Sequence, residues 1–312
     1  TKGLMKVTKD RFELSRLDAK QLGCKVFQNA VYGFLGVEKN GLLACPVLMA
    51  ITCRIGQYMI KQVRYNMILK HSAFIVYGDT DSVMVQLPDV DVSRLDKANE
   101  RCKSIASELT KLFNEPNELE FEAMKFPFWV SLAKKNYFAL EYPVNSLTGN
   151  PSVVVKGLGF KKRDRCMFVR EIGYRIVAYI LHHSSDGILG FLESRLNDLV
   201  QGSVPIEQLS ISCLLKSDSE YKNNNVIHVA TADKIEKRTG KRPASGCRMS
   251  FVVLDGDAQL YLRGEDPDYV KEHKLNIDVS YYLNNQLKMS ILPLMEFTGI
   301  DMLPLIRKYD GK

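Results

Sequence analysis

Between Asp18 and about Lys70 the apolar positions recur at three- and four-residue steps, the period of an α-helix. The run is interrupted between Gly33 and Gly41, where GFLGVEKNG carries three glycines, so the pattern predicts two helices joined by a turn. In the second, Ala44, Leu48, Ile51, Ile55 and Tyr58 or Met59 form one stripe that an amphipathic helix buries. Residues 73–86, AFIVYGDTDSVMVQ, change the period: two apolar runs flank a polar turn, which predicts a β-hairpin. A further helix should carry Ala98, Cys102, Ile105, Leu109 and Leu112 on one face, and LEFEAMKFPFWVSLAKKNYFALEYP reads as strands with a bend at Pro127. Beyond Pro151 the character shifts toward long helices, with Ile172, Ile176 and Ile180, then Leu189, Leu192, Leu196 and Leu199, interrupted by SSDG. The shift suggests a soft domain boundary near residues 165–170. Residues 226–265 read as short strands and basic turns, and Tyr269 to Phe297 as helix.

Composition narrows the class without naming a function. A chain of 312 residues, 46% hydrophobic and 25% charged, is long enough for about two domains and excludes collagen-like, disordered and mini-protein readings. The most apolar stretch, Leu42 to Cys53, ends at Arg54 and falls short of the ~20 residues a membrane span requires, so no membrane anchor is expected. Seven cysteines without a C-x-x-C pair predict free thiols in a reducing compartment rather than a zinc module or disulfide framework. The chain opens on TKGLMKVTKD with neither a start Met nor a signal peptide, and is read as a piece of something longer.

Charge is more informative as a map than as a total. The balance of 43 Lys plus Arg against 36 Asp plus Glu is +7. Residues 156–165 hold five basic groups and one acid, and residues 234–248 hold six and one, so these two segments exceed the whole chain's excess. Clustered positive charge of this kind suits a phosphate-rich partner.

The sharpest chemical feature is Tyr77-Gly78-Asp79-Thr80-Asp81-Ser82. An Asx-type turn would use the same residues. Against that, two ionised aspartates between apolar strands repel each other and lose solvation unless a cation compensates, and carboxylates with substrate phosphates are the usual way Mg²⁺ is held. Upstream, Lys25, Asn29 and Tyr32 are spaced to share one helical stripe, an arrangement that any amphipathic helix can also place in solvent.

Taken together these segments resemble family B DNA polymerases. YGDTDS is similar to that family's palm motif C, and Lys25-x-x-x-Asn29-Ala30-x-Tyr32-Gly33 to its fingers motif B, with Ala30 where Ser is usual. Lys134-Lys135-Asn136-Tyr137 resembles its Lys-Lys-Arg-Tyr motif, and Lys156-Gly157 through Lys162-Arg163-Asp164 its Lys-Gly-x(4)-Arg-Arg-Asp segment, with Asn136 and Lys162 departing from Arg. HVATADKIEKRTGKRPASGCRMSFVV and DPDYVKEHKLNIDVSYYLNNQL look like the thumb region, and GLLAC with YGDTDSVM lies nearest the delta-type and herpesvirus-like branch.

The resemblance implies an α+β fold: the end of the fingers over residues 1–40, part of an antiparallel palm over 41–165, and a mainly helical thumb over 166–312. It implies Asp81 as a principal ligand of two Mg²⁺ ions with Asp79 beside it, Lys25, Asn29 and Tyr32 on the surface facing the incoming dNTP, and Lys134, Lys135, Tyr137, Lys156, Gly157 and Arg163 against primer-template DNA. Glu122 is an auxiliary acid or a plain surface residue. The implied partners are dNTP and primer-template DNA, with room for a processivity factor, and the implied location is a nucleus, including that of an infected host. A two-metal site needs another carboxylate, from motif A in this family, and nothing in residues 1–24 resembles that motif. Three readings follow: part of an active polymerase, a DNA-binding fragment that needs another chain for motif A, or a palm-type nucleotide cyclase, which has no use for Lys25 to Gly33 or the basic segments.

Overall fold

The computed structural model describes residues 4, 5, 8, 10–37, 41, 44–91, 93–131, 133–144, 150–223 and 225–310. Helix accounts for 54% and strand for 15%, the strands falling in small antiparallel sheets, so the fold is α+β as expected. Packing divides the chain into two compact units, Thr1–Phe121 and Glu122–Lys312.

In the first unit, α1 (Arg11–Leu35) and α2 (Pro46–His71) are the two predicted helices. The first begins seven residues earlier than the apolar period suggested, because the Asp10 carboxylate accepts the Phe12 N–H at 3.1 Å and caps it. Pro46 starts the second where its missing N–H costs nothing. Strands β1 (Phe74–Asp79) and β2 (Ser82–Gln86) form the predicted hairpin, followed by α3 (Leu95–Thr110). A small core joins Val63 and Met67 of α2, Ala73, and Ile105 and Leu109 of α3, with Ile75, Val83 and Val85 of the hairpin against it. The stripe predicted to be buried on α2 is not: Leu48, Ile51, Ile55 and Tyr58 are each about half exposed or more. Among the described residues only the C-terminal half of α2 packs on the hairpin and α3, so burial begins at Val63.

The second unit opens with the sheet β3 (Ala123–Val130), β4 (Tyr137–Pro143) and β5 (Ser152–Lys156), antiparallel in that order. The register of β3 on β4 slips between Lys125 and Phe128, which is the bend expected at Pro127. Helices α4 (Met167–Leu181) and α5 (Gly187–Val200) follow, with the predicted break between them. Ile172, Ile176, Leu192 and Leu196 are fully buried, each contributing about 1.5–3 kcal/mol by leaving water. One core runs from Phe138 and Val155 of the sheet through Phe160 and these helices to Ile306.

After a short turn α6 (Ile206–Leu209), strand β6 (Ile211–Leu214) pairs with β7 (Arg248–Val253), and β7 with β8 (Gly264–Glu265). Of residues 226–265, read as short strands and basic turns, β7 and β8 are the strands, but the first part forms the helix α7 (Ile227–Thr239). Val229, Ala230, Thr231 and Ala232, four successive positions of this helix, are buried, which outweighs the modest helix propensity of Val229 and Thr231. The C-terminal helical region is likewise interrupted: α8 (Pro267–His273) ends at Lys274, and helix resumes at Val279, passing through a π-helical stretch, Tyr282–Lys288, before α9 (Met289–Met295) and α10 (Leu303–Asp310). Strand β5 was also not anticipated, since five residues carry too short a pattern to separate from the helices beyond it.

Candidate functional site

The hairpin of the first unit is short enough that its tip is defined by two residues. Asp79 closes β1 directly opposite Ser82, the first residue of β2, which leaves Thr80 and Asp81 as the turn. Thr80 adopts φ 50°, a left-handed conformation uncommon for a β-branched residue. Its hydroxyl donates to Asp79 Oδ1 at 3.1 Å, and the Ser82 hydroxyl donates to the Asp79 carbonyl at 3.1 Å, so the Asp79 side chain is oriented from within the turn.

The two carboxylates are less enclosed than the sequence suggested. The hairpin strands are half-buried and Asp81 is exposed, so water solvates the tip and loss of solvation does not by itself demand a cation. What fits Mg²⁺ is the donor set, two carboxylates on one tight turn, since the ion is commonly held by one or two carboxylates together with phosphates and water. Among the described residues no group of three or more His, Cys, Asp or Glu side chains is gathered to hold a metal. Glu122 is exposed at the start of the second unit, outside the unit that holds Asp79 and Asp81.

Beside the turn is an open concavity of about 300 Å³, lined by Ile60 and Arg64 of α2 and by residues 75–80, 82 and 83 of the hairpin, Asp79 among them. Arg64, which the sequence reading passed over, contributes the cation of that wall. The available signal was its position three residues before Met67 and one after Val63, where an arginine edges a buried helical face.

Lys25, Asn29 and Tyr32 do share one stripe of α1, exposed to solvent, and none of them lines the concavity. The Tyr32 hydroxyl lies 2.9 Å from Cys53 Sγ on α2, and this hydrogen bond, more than burial, raises the phenol pKa above its ordinary value.

In the second unit the structure brings together two motifs that are twenty residues apart in sequence. Tyr137 of β4 pairs in register with Lys156 of β5, which places Lys156-Gly157 beside the turn carrying Lys134 and Lys135. Gly157 has φ 72°, and a Cβ on it would meet Lys135 O at 2.2 Å and Asn136 Oδ1 at 2.3 Å; only glycine permits this approach. Lys134, Lys135, Lys156, Lys161, Lys162 and Arg163 are exposed, and Lys161 Nζ donates to the Val155 carbonyl at 2.6 Å.

The second basic segment is less available than its charge implied. Lys234 donates to the Leu262 and Gly264 carbonyls, and Arg238 donates to Glu265 at 2.8 Å while stacking over the Tyr269 ring. Arg242 pairs with Asp233, Glu236 and Asp218. Half of the segment's six cations are therefore engaged with acids, three of which lie outside it at Asp218, Asp233 and Glu265, and they hold the fold rather than face a partner.

Residues 1–297 match the model of DNA polymerase family B. The chain belongs to that family. Relatives include the DNA polymerase delta catalytic subunits of Schizosaccharomyces pombe, 33% identical over 305 residues, and Dictyostelium discoideum, 33% over 304, each match covering 94% of this chain and 27% of the relative. A DNA polymerase of Paramecium bursaria Chlorella virus NY2A is 33% identical over 297 residues, covering 92% of the chain and 32% of the relative. The family expectation and its leaning to the delta-type branch agree with these matches, while the viral relative is a chlorella virus polymerase rather than a herpesvirus one. The chain spans about a quarter to a third of the length of these relatives.

Proposed function

We propose that this chain supplies part of the active site and the primer-template grip of a template-directed DNA polymerase, transferring a nucleotide from dNTP to a primer 3′-hydroxyl. The observation that carries the proposal is the hairpin tip, which presents Asp79 and Asp81 on one turn in a chain that matches family B along residues 1–297.

On this reading Asp81, exposed at the tip, and Asp79, oriented by Thr80, would hold Mg²⁺ together with the nucleotide's phosphates. When bound, a pair of such ions supplies activation of the primer hydroxyl and neutralisation of charge on the departing pyrophosphate. Lys25 meets the triphosphate as a point charge, and Asn29 and Tyr32 face the nucleotide on the same stripe. The exposed cations around Lys156-Gly157 hold the DNA by its phosphates, which fixes register without reading sequence and suits an enzyme that accepts any template. The fingers, palm and thumb divisions at 1–40, 41–165 and 166–312, a processivity factor and a nuclear site of action belong to the same proposal.

The test is primer extension with Mg²⁺ by a polymerase containing this chain. Asp81→Asn should abolish extension while primed DNA binding stays nearly intact; retained extension removes Asp81 from the metal site.

The lack of a third gathered acid among the described residues favours a second reading, in which the chain by itself grips primed DNA and polymerises only when another segment provides the remaining carboxylate. The 312 residues alone should then bind primed DNA without extending it, and extension by them would exclude this reading.

A further inference from the structure

Arg248, the first residue of β7, is the member of the second basic segment that reaches the first. Its Nε donates to Ser212 Oγ at 3.1 Å, and its Nη2 donates to the Ser212 carbonyl and, at 3.4 Å, to the carbonyl of Arg163, 85 residues away in sequence. The loop it touches is tied down at its two ends by other side chains: Lys161 Nζ on the Val155 carbonyl and Arg165 Nη1 on the Asn285 carbonyl at 3.3 Å. Between those anchors lie the exposed cations Lys162 and Arg163. A guanidinium suits the middle position because its planar fork can serve several carbonyls at once, which an ammonium on a flexible stem cannot do with the same geometry.

We propose that Arg248 is a positioning residue for the DNA grip: it staples the Lys162–Arg163 loop to the β6–β7 edge, so that both cations meet a phosphate backbone in fixed register. This rests on the reading that this face binds DNA. It predicts that the geometry of Arg248 matters apart from its charge.

The experiment measures binding of primed DNA to the 312-residue chain by fluorescence anisotropy across a salt series. Arg248→Lys keeps the charge, yet should bind about tenfold more weakly, the scale of one lost charge-assisted hydrogen bond, and with a shallower salt slope because the two loop cations no longer engage together. Added to the Lys162→Met/Arg163→Met pair, it should change nothing further, since the residues it positions are already gone. Wild-type affinity and slope for Arg248→Lys, or a loss fully additive with that pair, overturns the staple. Wild-type binding by Lys162→Met/Arg163→Met instead overturns the grip reading beneath it. Should Arg248→Lys melt early, Ser212→Ala removes one acceptor of the fork and should shift affinity in the same direction; no shift overturns the proposal.

Discussion

The backbone of Gly157 is seated against the Lys135 carbonyl, where a Cβ would come within 2.2 Å of the oxygen. The contact joins two motifs that the β4–β5 ladder has already aligned through Tyr137 and Lys156. Gly157→Ala adds both a clash and a side chain at φ 72°, and should destabilise the second unit by about 1–3 kcal/mol. Because the atoms displaced belong to the turn carrying Lys134 and Lys135, DNA binding should weaken beyond what the lower stability explains. Chemical denaturation and DNA titration on the same variant check the two effects separately.

The exposed and the engaged cations should separate in a salt series. Removing Lys134, Lys156 or Arg163 should each lower the salt slope of DNA binding by about 1, as expected for one phosphate contact. Arg242→Ala, whose guanidinium is held by Asp233, Glu236 and Asp218, should leave the slope unchanged and alter stability instead.

Core packing gives a prediction independent of DNA. Gly173 on α4 faces the buried Phe160 ring, and an added Cβ would stand 2.2 Å from its Cγ. Gly173→Ala should therefore cost about 1–3 kcal/mol by overpacking, read as a lower denaturation midpoint with an unchanged m value.

Glu265 should confer a pH dependence at the acid end. Its burial pushes the pKa up, but the Arg238 hydrogen bond, the Asp266 N–H and the Lys234 charge outweigh this and hold it below the ordinary glutamate value. A carboxylate with a depressed folded-state pKa stabilises the fold fully above its unfolded value, about 4.3, and that contribution is lost as pH falls through the folded value. Arg238→Met should destabilise by about 1.5–3 kcal/mol at neutral pH. It should also move the acid loss of stability to higher pH, measurable as a shift in the acid denaturation curve.

The motifs were legible because each is local: the hairpin tip at Asp79-Thr80-Asp81 and the Lys25, Asn29, Tyr32 stripe depend only on period and turn length. Asp79 and Asp81 are less enclosed than the two apolar runs beside them imply, because apolar composition marks strands that pack on a core, not how deeply the turn between them is covered. The same limit explains Leu48, Ile51 and Ile55, whose helical period is real although their side chains are exposed. In residues 227–239 the expected short strands give way to helix, and the burial that stabilises it comes from partners distant in sequence, Leu215 and Met249 packing with Val229 and Ala232. Formal charge misled at Arg238 and Arg242 for a related reason, since their acids Glu265 and Asp218 lie outside the basic segment. Arg248 is counted among the cations of the second basic segment, but its bonds to Ser212 and the Arg163 carbonyl come from residues distant in sequence.

The ladder that begins at Tyr137 and Lys156 ends at Glu141 and Ser152, so the motif-bearing end of the hairpin and its connecting end are separated by the full length of both strands. A single residue inserted between Asn136 and Tyr137 would shift the register at the motif-bearing end and separate Lys134 and Lys135 from Gly157.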